Sequence, residues 1–122
     1  MQREHGVVAS ALEVLEIAEV ERLGAGADAV FSPAERAYAA TKSDPQRRLA
    51  VRLAAKRAAA RLLGAGIDPR DVEVVRGFGA PRLSLSQKAE ERLRALGADR
   101  TLVSLSHGRT HAAASVLLIE RT

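Results

Sequence analysis

Charged side chains recur at spacings that suit phosphate chemistry. Residues 36–61 contain eight basic residues and a single acid, Asp44, whereas residues 1–35 contain seven acids and two basic residues. Arg57 and Arg61 are four residues apart, so on a helix they would share one face. A guanidinium can bind phosphate oxygens through two parallel hydrogen bonds. The basic block therefore indicates an anionic partner (a phosphate-rich ligand, nucleic acid or an acidic protein), unless it is only a solvated helix face.

Composition narrows these alternatives. The chain has no cysteine, which excludes disulfides and cysteine-based metal sites. Nucleic-acid binding is not favoured, because stacking aromatics and known motifs are missing. His107 and His111 flank a loop without a third ligand nearby, so zinc is not favoured either. No apolar run reaches the length of a membrane span, and residues 1–5 are polar, unlike a secretion signal. We therefore expect a cytoplasmic protein.

The elements that must position these residues follow an α+β pattern in one domain, residues 1–122. The predicted order is β-ααα-ββ-α-ββ, with an antiparallel sheet packed against helices. The S-P-A-E run at 32–35 is a capping box, and Asp44-Pro45 and Gly64 bound the longest helix. Periodicity predicts strands at 7–14, 71–76, 82–85, 100–105 and 112–119. It predicts helices at 15–23, 33–40, 45–63 and 87–96. Turns are expected at 77–81 and 107–110.

Five segments, taken together, resemble one enzyme family. They are A-L-E-V-L-E-I at 11–17, F-S-P-A-E at 31–35, R-L-A-V-R-L-A-A-K-R-A-A-A-R-L-L-G at 48–64, G-A-P-R-L-S-L at 79–85 and V-S-L-S-H at 103–107. Their order and spacing are similar to those of the holo-(acyl-carrier-protein) synthases over nearly the whole chain. This resemblance implies the 4′-phosphopantetheinyl transferase fold.

The resemblance also implies a function and partners. Members transfer 4′-phosphopantetheine from coenzyme A to a serine of an apo-acyl-carrier protein, and 3′,5′-adenosine bisphosphate is the leaving group. They form homotrimers with active sites between subunits, and they use Mg²⁺. In the family, an acid of the first strand and the glutamate of A-A-K-E hold the magnesium ion; the matching residues here are Glu13 and Arg57.

Arg57 is the main departure from the family, because a guanidinium has no acceptor atom and cannot bind a cation. Three hypotheses remain. In the first, Arg57 replaces the metal and contacts the diphosphate itself. In the second, Arg57 pairs with Glu13 and closes the site, which leaves a silent homologue that binds coenzyme A or a carrier protein or serves in assembly. In the third, a magnesium ion remains bound to Glu13, diphosphate and water. The predicted enzyme is therefore a holo-(acyl-carrier-protein) synthase, with Mg²⁺ in doubt and the silent homologue as the alternative.

The resemblance assigns further residues to the site. Arg61 matches a family lysine and, with Glu13, Arg57 and Glu16, forms the predicted catalytic group. Glu16 matches an acid near the metal and would act as a base through water, unless it is only an exposed carboxylate at a helix start. The predicted ligands of coenzyme A are Lys56, Arg61, Arg48, Arg52, Ser106 and His107. For the basic residues among them, the alternative is an exposed helix face.

Overall fold

The computed structural model describes residues 6–64, 66–76 and 79–121. Residues 77–78 of the predicted turn lie outside the described residues. The elements are β1 (Val7–Glu16), α1 (Ala18–Leu23), α2 (Pro33–Ala40), α3 (Pro45–Leu63), β2 (Val72–Val75), β3 (Arg82–Leu85), α4 (Gln87–Ala95), β4 (Ala98–His107) and β5 (His111–Glu120), with short 3-10 helices at Gly24–Ala29 and Pro69–Asp71. This order confirms the predicted α+β arrangement.

The first strand is two residues longer than the sequence pattern predicted. Leu15 and Glu16 were assigned to the first helix, but they pair with Ala112 and His111 of β5 in an antiparallel ladder. Leu15 is buried, so the strand gains an apolar contact as well as backbone hydrogen bonds. Tertiary pairing thus overrides the local helical spacing. The helix begins only at Ala18.

Helices α2 and α3 form where the sequence placed them. The Ser32 hydroxyl accepts a hydrogen bond from the Glu35 backbone N–H, and the Glu35 carboxylate accepts one from the Ser32 N–H, which completes the capping box of α2. Proline at the first position of α3 has a fixed backbone angle that suits a helix start. The helix ends at Gly64, whose φ of +59° is readily adopted only by glycine.

Helix α3 is the centre of the fold. Strands β1, β5 and β4 form an antiparallel sheet in that order, and β2 pairs with β3 in a separate hairpin. Helix α3 packs on β1 and β5 and also contacts α1, α2 and β2. Its small side chains, chiefly alanines, are fully buried and let these elements approach closely. On its C-terminal half, Arg61 is exposed and Arg57 is partly exposed, and the two form what we call the exposed stripe of α3.

The face of the three-stranded sheet that points away from α3 is partly apolar. Leu12 and Val14 of β1 and Leu102 of β4 are more than half exposed there, with exposures of 64%, 56% and 51%. Side chains alternate between the two faces of a strand, so the neighbours of Leu12 along β1 point toward α3.

Among the helices of the described residues, none combines the length and the apolar character that a membrane span requires.

Candidate active site

Glu13 and Arg61 meet where β1 crosses the C-terminal half of α3. Glu13 lies on the helix-facing side of β1, between the partly buried Ala11 and the buried Leu15. Its Oε2 atom is 2.5 Å from Nη1 of Arg61, and Arg61 Nη2 donates to the Leu12 carbonyl oxygen at 3.1 Å. The Arg61 side chain is 55% exposed and that of Glu13 is 20% exposed. The pair is therefore accessible to a ligand.

Arg57 lies one helical turn before Arg61 and has a different partner. Its Nη1 atom is 2.7 Å from Oε1 of Glu19 in α1, and both side chains are about one third exposed. The hypothesis that Arg57 pairs with Glu13 is therefore wrong, because Arg61 occupies that carboxylate. We refer to Glu13, Glu19, Arg57 and Arg61 as the acid–arginine cluster. Its two positive and two negative side chains sum to zero charge.

The cluster does not fit a magnesium ion. Magnesium is bound by oxygen ligands, usually one or two carboxylates together with phosphates. Here the Glu13 carboxylate is engaged by a guanidinium, and the second family position carries the cation Arg57. No group of three histidine, cysteine, aspartate or glutamate side chains gathers at any one place among residues 6–64, 66–76 and 79–121. The chemistry of these donors favours direct binding of an anion over binding of a metal.

Glu16 does not join the acid–arginine cluster. It lies three residues beyond Glu13 on the same strand, so its side chain leaves the opposite face of the sheet. It is exposed and lies 3.7 Å from Arg22. It also lines a cavity of about 520 Å³ together with Gln46 of α3 and Arg109 of the loop before β5. The predicted role of Glu16 beside Glu13 is therefore not supported, because the expected helix start is a strand.

Lys56, predicted to bind phosphate, is buried in a structural ion pair. Only 1% of the residue is exposed. Its Nζ donates to Glu35 Oε1 at 2.7 Å and to the Val72 carbonyl oxygen at 2.6 Å. The second oxygen of Glu35 accepts a hydrogen bond from the Val74 N–H. The pair ties α2, α3 and β2 together, and this corrects the predicted assignment to coenzyme A.

Arg52, a second predicted phosphate ligand, is also buried. Its guanidinium lies 4.4 Å from the centre of the Tyr38 ring, and the Lys42 ammonium lies 5.0 Å from the same ring. One nitrogen donates to the Arg48 carbonyl oxygen, while the buried Nε has no partner among the described residues. Burial lowers the pKa of Arg52. Arg52 therefore holds α3 against α2 rather than facing solvent.

The remaining predicted ligands lie at the opposite end of α3 from Arg61. Arg48 donates to the Asp44 carboxylate at 3.0 Å, and this hydrogen bond lowers the pKa of Asp44, with a further contribution from the charge of His107. His107 and Ser106 are both exposed. As consecutive residues of β4, they point to opposite faces of the sheet, and His107 shares the helix-facing side with Leu105. The two are therefore not neighbours in one pocket.

Sequence reasoning missed two acids. Glu19 was read only as part of a helical pattern, and its partner Arg57 is 38 positions away, so no local signal links them. Glu35 was recognised as a capping residue, but not as the partner of Lys56. The F-S-P-A-E and A-A-K segments each contain one member of this pair. The opposite charges of these two motifs were the one signal that could have indicated the contact.

No protein-family model matches the chain. The curated relatives and the solved structures, however, indicate one family. A holo-(acyl-carrier-protein) synthase from Anaeromyxobacter sp. (strain K) is 40% identical over 117 residues, which cover 88% of this chain and 91% of the relative.

Two solved structures show the same fold. The holo-(acyl-carrier-protein) synthase of Neisseria meningitidis superposes with a TM-score of 0.81 at 22% identity, covering 93% of this chain and 98% of that one. The synthase of Bacillus anthracis, solved in complex with CoA (3′,5′-ADP), superposes with a TM-score of 0.74 at 24% identity and covers 97% and 100%.

Proposed function

The chain belongs to the holo-(acyl-carrier-protein) synthase family, and we propose on this premise that its acid–arginine cluster binds the diphosphate of coenzyme A without a metal. The enzyme transfers 4′-phosphopantetheine from coenzyme A to a serine of an apo-acyl-carrier protein. A relative whose length this chain matches over 91% carries the name of this activity. A silent homologue is therefore not favoured.

The reaction requires charge neutralisation and a proton acceptor. The serine oxygen attacks the β-phosphorus of coenzyme A, and the bond from that phosphorus to the bridging oxygen breaks. The electron pair leaves with 3′,5′-adenosine bisphosphate, and the serine proton passes to a base. Negative charge develops on the bridging oxygen, so fixed cations beside it lower the barrier.

Arg57 and Arg61 are the cations that we assign to the diphosphate. They lie one turn apart on the exposed stripe of α3, and each guanidinium has nitrogens beyond the one paired with a carboxylate. When Arg61 turns to the phosphate, its former partner Glu13 becomes free to take the serine proton, directly or through water. No step needs a magnesium ion. The observation that carries this proposal is that Arg61 contacts Glu13 while Arg57, one helical turn away on α3, is held by a different acid, Glu19.

Intact-mass measurement tests this proposal. The protein, apo-acyl-carrier protein and coenzyme A are mixed with magnesium or with a chelator, and the carrier is weighed. We expect a phosphopantetheine adduct in both mixtures. Arg61→Ala should slow transfer about 100-fold or more, as losing one donor to a developing oxyanion commonly does. Arg36→Ala, which removes an exposed arginine paired with Asp28, serves as the matched control. An adduct that forms only with magnesium contradicts metal-free binding.

We also propose that the protein is a homotrimer. The support is the exposed apolar face of Leu12, Val14 and Leu102, which a neighbouring copy would cover. Light scattering after size exclusion should give three chain masses. Leu102→Glu should give a folded monomer, because that side chain contributes little to the core. A monomeric wild type at working concentration contradicts the proposal.

A cytoplasmic location is likewise a proposal. It is supported by the substrates, since coenzyme A and acyl-carrier proteins are molecules of the cytoplasm. Cell fractionation followed by immunodetection tests it, and recovery of the protein outside the cytoplasmic fraction contradicts it.

A further inference from the structure

Glu19 has no part in the reaction as written above, yet it is the partner of the residue that departs most from the family. We propose that Glu19 is a positioning residue that fixes the direction of the Arg57 guanidinium toward the diphosphate. This inference rests on the proposed function. It concerns a residue on α1, outside every motif that the sequence analysis assigned to the site.

The geometry supports a positioning role. Arginine has four rotatable side-chain bonds, and Arg57 is one third exposed, so its guanidinium would sample many directions if unrestrained. The 2.7 Å contact from Arg57 Nη1 to Glu19 Oε1 removes this freedom. Because one nitrogen is held by Glu19, the others keep a defined direction. Arg61 differs from Arg57 in this respect, because in the proposed reaction it exchanges its contact with Glu13 for the phosphate.

The charges separate positioning from simple attraction. The acid–arginine cluster is neutral, and removal of Glu19 leaves it with one positive charge. Attraction alone would then bind anionic coenzyme A more tightly, and KM would fall without loss of turnover. Loss of positioning instead lowers kcat, because a misdirected cation loses more of its interaction with the transition state than of its interaction with the ground state. The two roles therefore predict different kinetic changes for the same substitution.

Three variants test the inference. Glu19→Gln removes the charge and keeps the size, whereas Glu19→Asp keeps the charge and shortens the reach. Asp28→Asn is the matched control, since Asp28 also holds an exposed arginine, Arg36. For each variant, kcat and KM for coenzyme A are measured at saturating carrier protein, and the thermal midpoint is recorded to confirm folding.

We expect Glu19→Gln to lower kcat about tenfold while KM for coenzyme A stays equal or falls up to about fivefold, the range of an exposed ion pair. Glu19→Asp should also lower kcat, and Asp28→Asn should match the wild type. If both Glu19 variants keep wild-type kcat in an active enzyme, the positioning role is refuted and the proposed function stands. If the wild type itself transfers no phosphopantetheine, the proposed function and this inference both fall.

Discussion

Replacing Lys56 with methionine decides between a structural role and a binding role for this residue. Lys56→Met keeps the length of the side chain and removes its charge. In the structure Lys56 and Glu35 are both about 1% exposed, so the variant leaves the Glu35 carboxylate buried without its cation. Breaking a buried ion pair from one side costs about 3–5 kcal/mol. For a domain of this size, such a loss lowers the melting temperature by about 10–20 °C.

Urea unfolding and thermal melting measure this loss, with Arg36→Met as the control. The Arg36–Asp28 pair is exposed, with side-chain exposures of 50% and 71%, so its removal should cost less than about 1 kcal/mol. Adding Glu35→Gln to Lys56→Met should recover part of the lost stability, because the neutral amide leaves no buried charge. The reasoning is refuted if Lys56→Met is as stable as Arg36→Met while KM for coenzyme A rises, since that result indicates a phosphate ligand.

Three further predictions follow from the described contacts. Arg57→Glu should lose metal-free transfer and gain magnesium-dependent transfer, because it places a second carboxylate on the same side of α3 as the Glu13 partner Arg61. Transfer rates measured with magnesium and with a chelator test this prediction. Hydrogen bonds from the Asp68 N–H and the Ser86 hydroxyl lower the pKa of Asp71 below its ordinary value of 3.8. The Asp71 carboxylate therefore contributes fully to stability above pH 3.8, and this contribution is lost as the pH falls through the lowered pKa. Asp71→Asn should therefore flatten the acid side of the stability profile in urea titrations; an unchanged slope contradicts this. Gly97 has a φ of +90°, so Gly97→Ala should cost about 1 kcal/mol, whereas Gly108→Ala at an open position should cost less by urea midpoint.

The elements that the sequence predicted well are those with local chemical signals. The capping box at Ser32 and Glu35, and the proline and glycine that bound α3, depend on neighbours three or four residues away. The extension of β1 to Glu16 depends on pairing with β5, almost one hundred residues further along the chain. Helical spacing in a short apolar run cannot show such a partner. The boundary was therefore wrong although the element was right.

The contact between β1 and α3 was predictable from the resemblance, but the side-chain pairings along α3 were not. The resemblance indicated β1 and α3, and the structure brings Glu13 and Arg61 into contact. It could not show which basic residues of α3 face inward, because alanines surround them on every side and the helix has no clear polar face. Lys56 and Arg52 therefore looked as available as Arg57. Their burial became apparent only once α2 and β2 were placed against the helix.

The contact of Tyr38 with Lys42 and Arg52 has a practical consequence. The chain contains one tyrosine and no tryptophan, so a single phenol dominates its near-ultraviolet absorbance and its intrinsic emission. That phenol belongs to α2, and its ring lies near Arg52 of α3 and near Lys42 of the turn that connects the two helices. Its spectrum thus reports directly on whether these two helices remain docked. Separation of α2 from α3 can be followed optically without attaching a dye.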